Sequence, residues 1–213
     1  MKPILLLPGI FRVAGLACLL SLGACSSLLP KPTPAPSLHL LTGAAPHAPG
    51  VSRSGQASLR INPPQAAAGF DSRRIIYLRE PQRLNYFARH EWADTPARML
   101  APLLLAAWDA GGQFRVVLGA HSAGSAEFSL DTEVIRLQQD FSQSPSQVRL
   151  SLRASLLDNA TRRVLASREF DARVAAPSED ADGGVIAANR AVQQVLNELV
   201  QAPEFAPVKP VLP

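Results

Sequence analysis

Cysteine is nearly absent from this chain, and its scarcity limits both the chemistry and the stabilisation open to the protein. The 213 residues include only two cysteines, Cys18 and Cys25, and both lie near the amino terminus. The chain after Cys25 therefore has no thiol for a disulfide, a thiolate metal ligand or a cysteine nucleophile. A domain formed by that part of the chain must be stabilised by packing.

An excess of charge of one sign is also missing. The whole chain has 21 Lys and Arg residues against 17 Asp and Glu residues. Residues 1–24 hold two of the basic residues and none of the acidic ones, so 19 minus 17 leaves a net charge of +2 on the remainder. No dense basic patch with interleaved aromatic residues occurs, so the composition does not indicate nucleic-acid binding.

Recognisable motifs for metals and phosphates are lacking as well. The four histidines show no ligand spacing and none has a neighbouring cysteine; they are His39, His47, His90 and His121. No glycine-rich loop is followed by the Lys-Ser/Thr of a P-loop. We therefore expect no metal site and no cofactor.

The amino terminus has the order of a secretory signal peptide. Lys2 and Arg12 supply positive charge, residues 13–22 form a ten-residue apolar core, and small residues follow. Such a core is too short to span a bilayer permanently. Leu22-Gly23-Ala24-Cys25 resembles a bacterial lipobox, which implies cleavage after residue 24 and attachment of acyl chains such as palmitate to Cys25. The alternative is an ordinary secreted protein in which this cysteine merely lies near the cleavage site.

The residues after the lipobox favour a particular membrane. Ser26 stands where an Asp would resemble an inner-membrane retention signal, so we expect a lipid anchor at the periplasmic face of the outer membrane. Each buried CH2 group of an acyl chain contributes about 0.8 kcal/mol to membrane binding, and one chain alone binds only marginally. Several chains are therefore needed for a stable anchor. Residues 25–55 are rich in Pro, Ala and Ser, which predicts a flexible linker with semi-rigid, polyproline stretches.

Hydrophobic patterning predicts a single domain over residues 56–201, followed by a Pro-rich disordered tail over residues 202–213. Thr95-Pro96 starts one amphipathic helix that Gly111-Gly112 ends, and Ser178-Glu179-Asp180 precedes a second. A change of parity near Val134-Ile135 predicts a β-bulge. Strand patterns occupy residues 38–41, 57–61, 74–78, 83–88, 114–118, 128–141, 148–156 and 164–174. This order favours an α+β fold, with a mainly antiparallel β-sheet and two helices packed on one face.

One segment is similar to a catalytic motif. Ala120-His121-Ser122-Ala123-Gly124 resembles the Gly-x-Ser-x-Gly nucleophile elbow of α/β-hydrolases, with Ala120 in place of the first glycine. An elbow must open a helix, whereas this segment leads into the strand pattern that begins at Phe128. No histidine follows Ser122, although hydrolases place the triad histidine after the serine. We therefore interpret the segment as a loop and expect no enzymatic activity; a lipid-anchored serine hydrolase using Ser122 is the alternative.

Aromatic residues cluster around the predicted hairpin of residues 74–88. Aromatic side chains in such positions belong either to the core or to a partner-binding surface, because Tyr and Trp serve both purposes. We take Tyr77, Tyr86 and Trp92 as candidate partner-binding residues.

Several runs of the chain carry a family resemblance. They are residues 76–79, 83–96, 137–141, 156–158 and 164–170. These runs resemble the signature of the ABC-type transport auxiliary lipoprotein family. This family includes the paraquat-inducible protein C-like lipoproteins. The resemblance implies a non-catalytic lipoprotein that docks an MCE-domain protein of an ABC transport system to the outer membrane, so that lipids move between the two membranes. Homo-oligomerisation is compatible with such a role. A third interpretation is an outer-membrane assembly lipoprotein of the lipopolysaccharide-export type.

Overall fold

The fold is built on a mixed β-sheet. The computed structural model describes residues 34–43 and 55–207, so the predicted signal peptide and Cys25 lie outside the described residues. The described residues from Pro36 onward belong to one compact unit. In chain order their strands are β1 (Ser37–His39), β2 (Ser58–Ile61), β3 (Gln65–Ala66), β4 (Arg74–Leu78), β5 (Asn85–Trp92), β6 (Val116–Leu118), β7 (Phe128–Asp140), β8 (Gln147–Asp158) and β9 (Arg163–Ala175).

The long strand β7 organises the sheet. One edge of β7 pairs antiparallel with β8 along its whole length, and β8 pairs antiparallel with β9. The other edge of β7 is shared by three short parallel strands in succession: β2 at its start, β3 in its middle and β4 at its end. β4 then pairs antiparallel with β5, which pairs parallel with β1, while β2 also pairs parallel with β6.

Two helices cover the apolar face of this sheet. Helix α1 (Pro96–Gly111) buries Leu100, Leu104 and Trp108, and helix α2 (Ala181–Gln201) buries a stripe of Ala, Val and Leu side chains. They cover the alternate apolar residues of β7 and β8, so that one face of these strands is buried and the other is polar. Among the described residues, no helix combines the length and the apolar character needed to cross a bilayer.

The helix boundaries follow from local chemistry. Thr95 takes the N-cap position of α1 and Pro96 the first helical position, although the Thr95 hydroxyl makes no capping hydrogen bond. Gly112 ends α1 with a φ of 64°, a left-handed conformation that glycine adopts without strain. At the start of α2, the Asp180 carboxylate accepts a hydrogen bond from the Gly183 N–H at 2.8 Å.

The predicted α+β fold with two helices is confirmed, and so is the bulge. The register between β7 and β8 shifts between Val134 and Arg136, so the inserted residue is Ile135. The sheet is more mixed than predicted. Its two longest ladders are antiparallel, but five shorter pairings are parallel. Each parallel pair joins strands that are separated by a long stretch of chain, as a parallel connection requires.

The ordered fold extends beyond both predicted domain limits. Strand β1 lies within residues 25–55, the predicted linker, and is paired in the sheet. The predicted disordered tail, 202–213, begins with a 3-10 turn at Pro203–Phe205 within its described part, 202–207. The Phe205 side chain is 0% exposed and its ring centroid lies 5.9 Å from that of Phe170. Proline is tolerated in the first turn of a helix, and burial of an aromatic ring compensates for ordering the segment.

Candidate functional site

The β4–β5 hairpin positions two of the three candidate partner-binding residues at the surface. Its turn contains Gln82 in a left-handed conformation, with a φ of 68°. Strand β4 also pairs with the end of β7, where the Phe141 N–H donates to the Leu78 carbonyl oxygen at 2.8 Å. This pairing brings Phe141 beside Tyr77, although the two residues are distant in sequence.

Tyr77, Phe87 and Phe141 form an aromatic cluster at the end of the sheet. The ring centroid of Tyr77 lies 4.7 Å from that of Phe87 and 5.7 Å from that of Phe141, the second contact being edge-to-face. The centroids of Phe87 and Phe141 are 6.3 Å apart. All three side chains are half-buried. Rings that pack on one another in tilted and edge-to-face contacts and still reach solvent form a rigid apolar surface for a partner.

Arginine side chains flank these rings. The guanidinium of Arg79 lies 5.6 Å from the centroid of Tyr77, and that of Arg74 lies 4.9 Å from the centroid of Tyr86, both within cation–π range. Residues 73–89 contain five arginines and one acidic residue, Glu80. We call the face of the hairpin that carries Tyr77, Phe87, Phe141 and Arg79 the hairpin surface. It is suited to binding an acidic or apolar partner, because Tyr and Arg are enriched among the residues that dominate protein interfaces.

The three candidate residues occupy different environments. Tyr77 is half-buried and lies on the hairpin surface. Tyr86 is 38% exposed but is paired with Ile76. Its side chain therefore lies on the opposite face of the hairpin from Tyr77 and Phe87. Trp92 is 3% exposed and belongs to the hydrophobic core. Contact between Trp92 and a partner would require local unfolding, so we exclude Trp92 from the hairpin surface. A role for Tyr77 and Tyr86 in partner binding stays a prediction.

The loop around Ser122 has a structural explanation. The guanidinium of Arg60, on β2, donates hydrogen bonds to the carbonyl oxygens of Gly119 and Ser122, each at 3.2 Å, and to that of Gly124. The loop leads into strand β7, so Ser122 does not open a helix as the serine of a nucleophile elbow does. The arginine organises a turn between two strands.

Two carboxylates with lowered pKa values also support the framework. Hydrogen bonds from the Ser58 hydroxyl and backbone N–H hold the pKa of Glu127 below its ordinary value. Burial acts to raise the pKa of Asp171, but hydrogen bonds from Ser151 and Arg149 outweigh burial and lower it. Both carboxylates join neighbouring strands, which is a structural use of ionised groups.

A cluster that the sequence did not reveal contains His39, His90 and Asp182. The parallel pairing of β1 with β5 places Ser37 opposite His90, and the two imidazole rings stack with centroids 5.2 Å apart. The Nε2 atom of His39 lies 3.0 Å from Nδ1 of His90 and 3.9 Å from Oδ1 of Asp182. The two histidines are 51 residues apart in sequence, so no local spacing could have indicated this cluster.

Comparisons with known proteins agree with this architecture. The family model of the ABC-type transport auxiliary lipoprotein component matches residues 39–200. A crystal structure of a Xanthomonas campestris protein assigned to DUF330 is similar, with a TM-score of 0.69 and 26% identity, over 80% of this chain and 96% of that one. An uncharacterized protein shares the fold at a TM-score of 0.64 and 13% identity, over 79% of this chain and 98% of that one. No curated protein matches the chain significantly. Because the family match covers nearly all of the described fold, the chain belongs to the family of ABC-type transport auxiliary lipoprotein components.

Proposed function

We propose that this protein is a non-catalytic adaptor that docks the MCE-domain assembly of an ABC-type lipid transport system to the outer membrane. Acyl chains on Cys25 anchor it to the periplasmic face of that membrane. The observation that carries the proposal is the family match over residues 39–200, because the family is described as the auxiliary lipoprotein of ABC-type transport. The MCE partner, the outer membrane and the lipid cargo are the finer parts of the proposal.

The position of the first strand supports an anchored adaptor. Strand β1 begins at Ser37, only a short stretch of chain after Cys25, and pairs at once with β5 of the hairpin. An anchor near this strand confines the domain to the neighbourhood of the membrane. Confinement raises the effective concentration of the domain for a partner that spans the periplasm, without any additional contact.

The hairpin surface is our choice of docking site. The excess of arginine in the hairpin favours a partner that presents acidic side chains, because complementary charge speeds association and selects among partners. The half-buried rings of Tyr77, Phe87 and Phe141 provide apolar area at its centre. The exposed Arg79 lies over two of these rings, at 5.6 Å from the centroid of Tyr77 and 5.9 Å from that of Phe141.

The test is recovery of partners from detergent-solubilised envelopes with the full chain as bait, followed by mass spectrometry. We expect the wild-type chain to recover an MCE-domain protein together with a permease and an ATPase. Arg79→Glu reverses a charge in the middle of the hairpin surface, and we expect it to lower this recovery at least tenfold. Arg163→Glu is the matched control, because Arg163 is an exposed arginine that starts β9, at the opposite end of the sheet.

Two results would contradict the proposal. Recovery of an outer-membrane β-barrel protein in place of an MCE protein would indicate an assembly role instead. Equal recovery with Arg79→Glu and with the wild-type chain would show that docking does not use the hairpin surface. Circular dichroism of both variants checks that each chain remains folded.

A further inference from the structure

We propose that His39, His90 and Asp182 bind a divalent transition-metal ion of the zinc class, and that this ion fastens β1 to the rest of the domain. The site joins three separate elements, because His39 is on β1, His90 on β5 and Asp182 in the first turn of α2. It replaces the expectation from sequence that the histidines hold no metal.

The geometry of the donor atoms fits such an ion. One ligand atom from each of the three side chains can be chosen so that all three lie within 4.8 Å of one another. Ligands bound at about 2.0–2.2 Å around a tetrahedral zinc ion lie about 3.3–3.6 Å apart. The separations of 3.0 Å between the histidine nitrogens and 3.9 Å between His39 and Asp182 bracket that range. Small rotations of the side chains are therefore sufficient.

The chemical nature of the donors indicates which metals fit. Two imidazole nitrogens and one carboxylate oxygen suit zinc and similar divalent ions, whereas calcium and magnesium prefer oxygen ligands alone. The His39 side chain is 14% exposed and that of Asp182 is 70% exposed. His90 is half-buried as well, so packing restrains both imidazole rings. The exposed side of the site lets solvent deliver the ion and supply a fourth ligand.

The rest of β1 explains what the ion would add. The strand has three residues, and its central residue Leu38 and the following Leu40 are 58% and 60% exposed. Leu41 is the nearby side chain that is buried, and the Ala93 N–H donates to the His39 carbonyl oxygen at 2.7 Å. These contacts bury little apolar area, so a metal bridge to β5 and α2 would make the attachment of β1 much stronger.

The experiment is titration of the full chain, purified in detergent without a polyhistidine tag, with zinc ions alone in a calorimeter. We expect one zinc ion per chain and a higher unfolding temperature in its presence. Asp182→Asn should weaken binding at least tenfold, and His39→Ala should abolish it. The matched controls are His121→Ala and Asp71→Asn, which change an exposed histidine and an exposed aspartate elsewhere in the structure and should bind zinc as the wild-type chain does.

Cobalt ions provide a second measurement, because tetrahedral coordination by these donors gives visible absorption bands. These bands should appear with the wild-type chain and both controls and should be missing with His39→Ala. The absence of zinc binding to the wild-type chain would overturn the proposal. Equal zinc affinity of Asp182→Asn and the wild-type chain would overturn it as well. Asp182 is mostly solvent-exposed, so its change to Asn leaves the fold intact and makes this second result decisive.

Discussion

Phe205 lies in a segment where the sequence predicts disorder, so its truncation is a direct test of the fold. The Phe205 ring is 0% exposed and packs on Phe170 of β9. Phe205→Ala removes this burial and leaves a cavity between the 3-10 turn and the sheet. Truncation of a fully buried phenylalanine costs about 3–5 kcal/mol, the sum of lost transfer free energy and the cavity.

Thermal unfolding of the full chain measures this loss. In a domain of this size, 1 kcal/mol corresponds to about 2–4 °C, so Phe205→Ala should lower the unfolding temperature by about 6–20 °C. Glu204→Ala is the control at the neighbouring position. It removes an ion pair with Arg168, whose other partner Glu198 remains, and a partly exposed pair of this kind contributes about 0–1 kcal/mol. A change below about 1 kcal/mol for Phe205→Ala would refute the packing of this segment on β9.

Two further predictions concern a carboxylate and the anchor. The pKa of Glu127 is lower in the folded chain than its ordinary value of 4.5, so its ionised carboxylate stabilises the fold fully at pH values above 4.5. This stabilisation is lost as the pH falls through the lowered pKa of the folded chain. The free energy of unfolding in urea should therefore fall more between pH 7 and pH 3 for the wild-type chain than for Glu127→Gln; equal falls would contradict this assignment. Cys25→Ser should move the protein from the membrane fraction to the soluble fraction after cell lysis. Retention of this variant in the membrane would show that acylation at that cysteine is not the anchor.

The hairpin surface shows where reasoning from local pattern ends. Alternation predicts the β4–β5 hairpin correctly, and the register places Tyr77 and Tyr86 on opposite faces of it, since Tyr86 pairs with Ile76 and Tyr77 with Asn85. Alternation does not distinguish Trp92, which is in the core, from these two exposed or half-buried rings. Burial depends on what covers a side chain, and here the cover comes from elements distant in sequence. Phe141 joins the surface for the same reason, through the parallel pairing of β4 with β7.

The sequence by itself determined the features that arise from neighbours along the chain. Proline and glycine set the ends of α1, since their backbone restrictions act within a single turn, and the change of parity indicated the bulge near Val134-Ile135, where the register shifts. Only the tertiary structure decided that the His39 side chain contacts that of His90 and that Phe205 is buried. Such contacts join residues separated by tens of positions. Their free energy comes from surfaces that the folded chain buries against one another, and no local spacing records it.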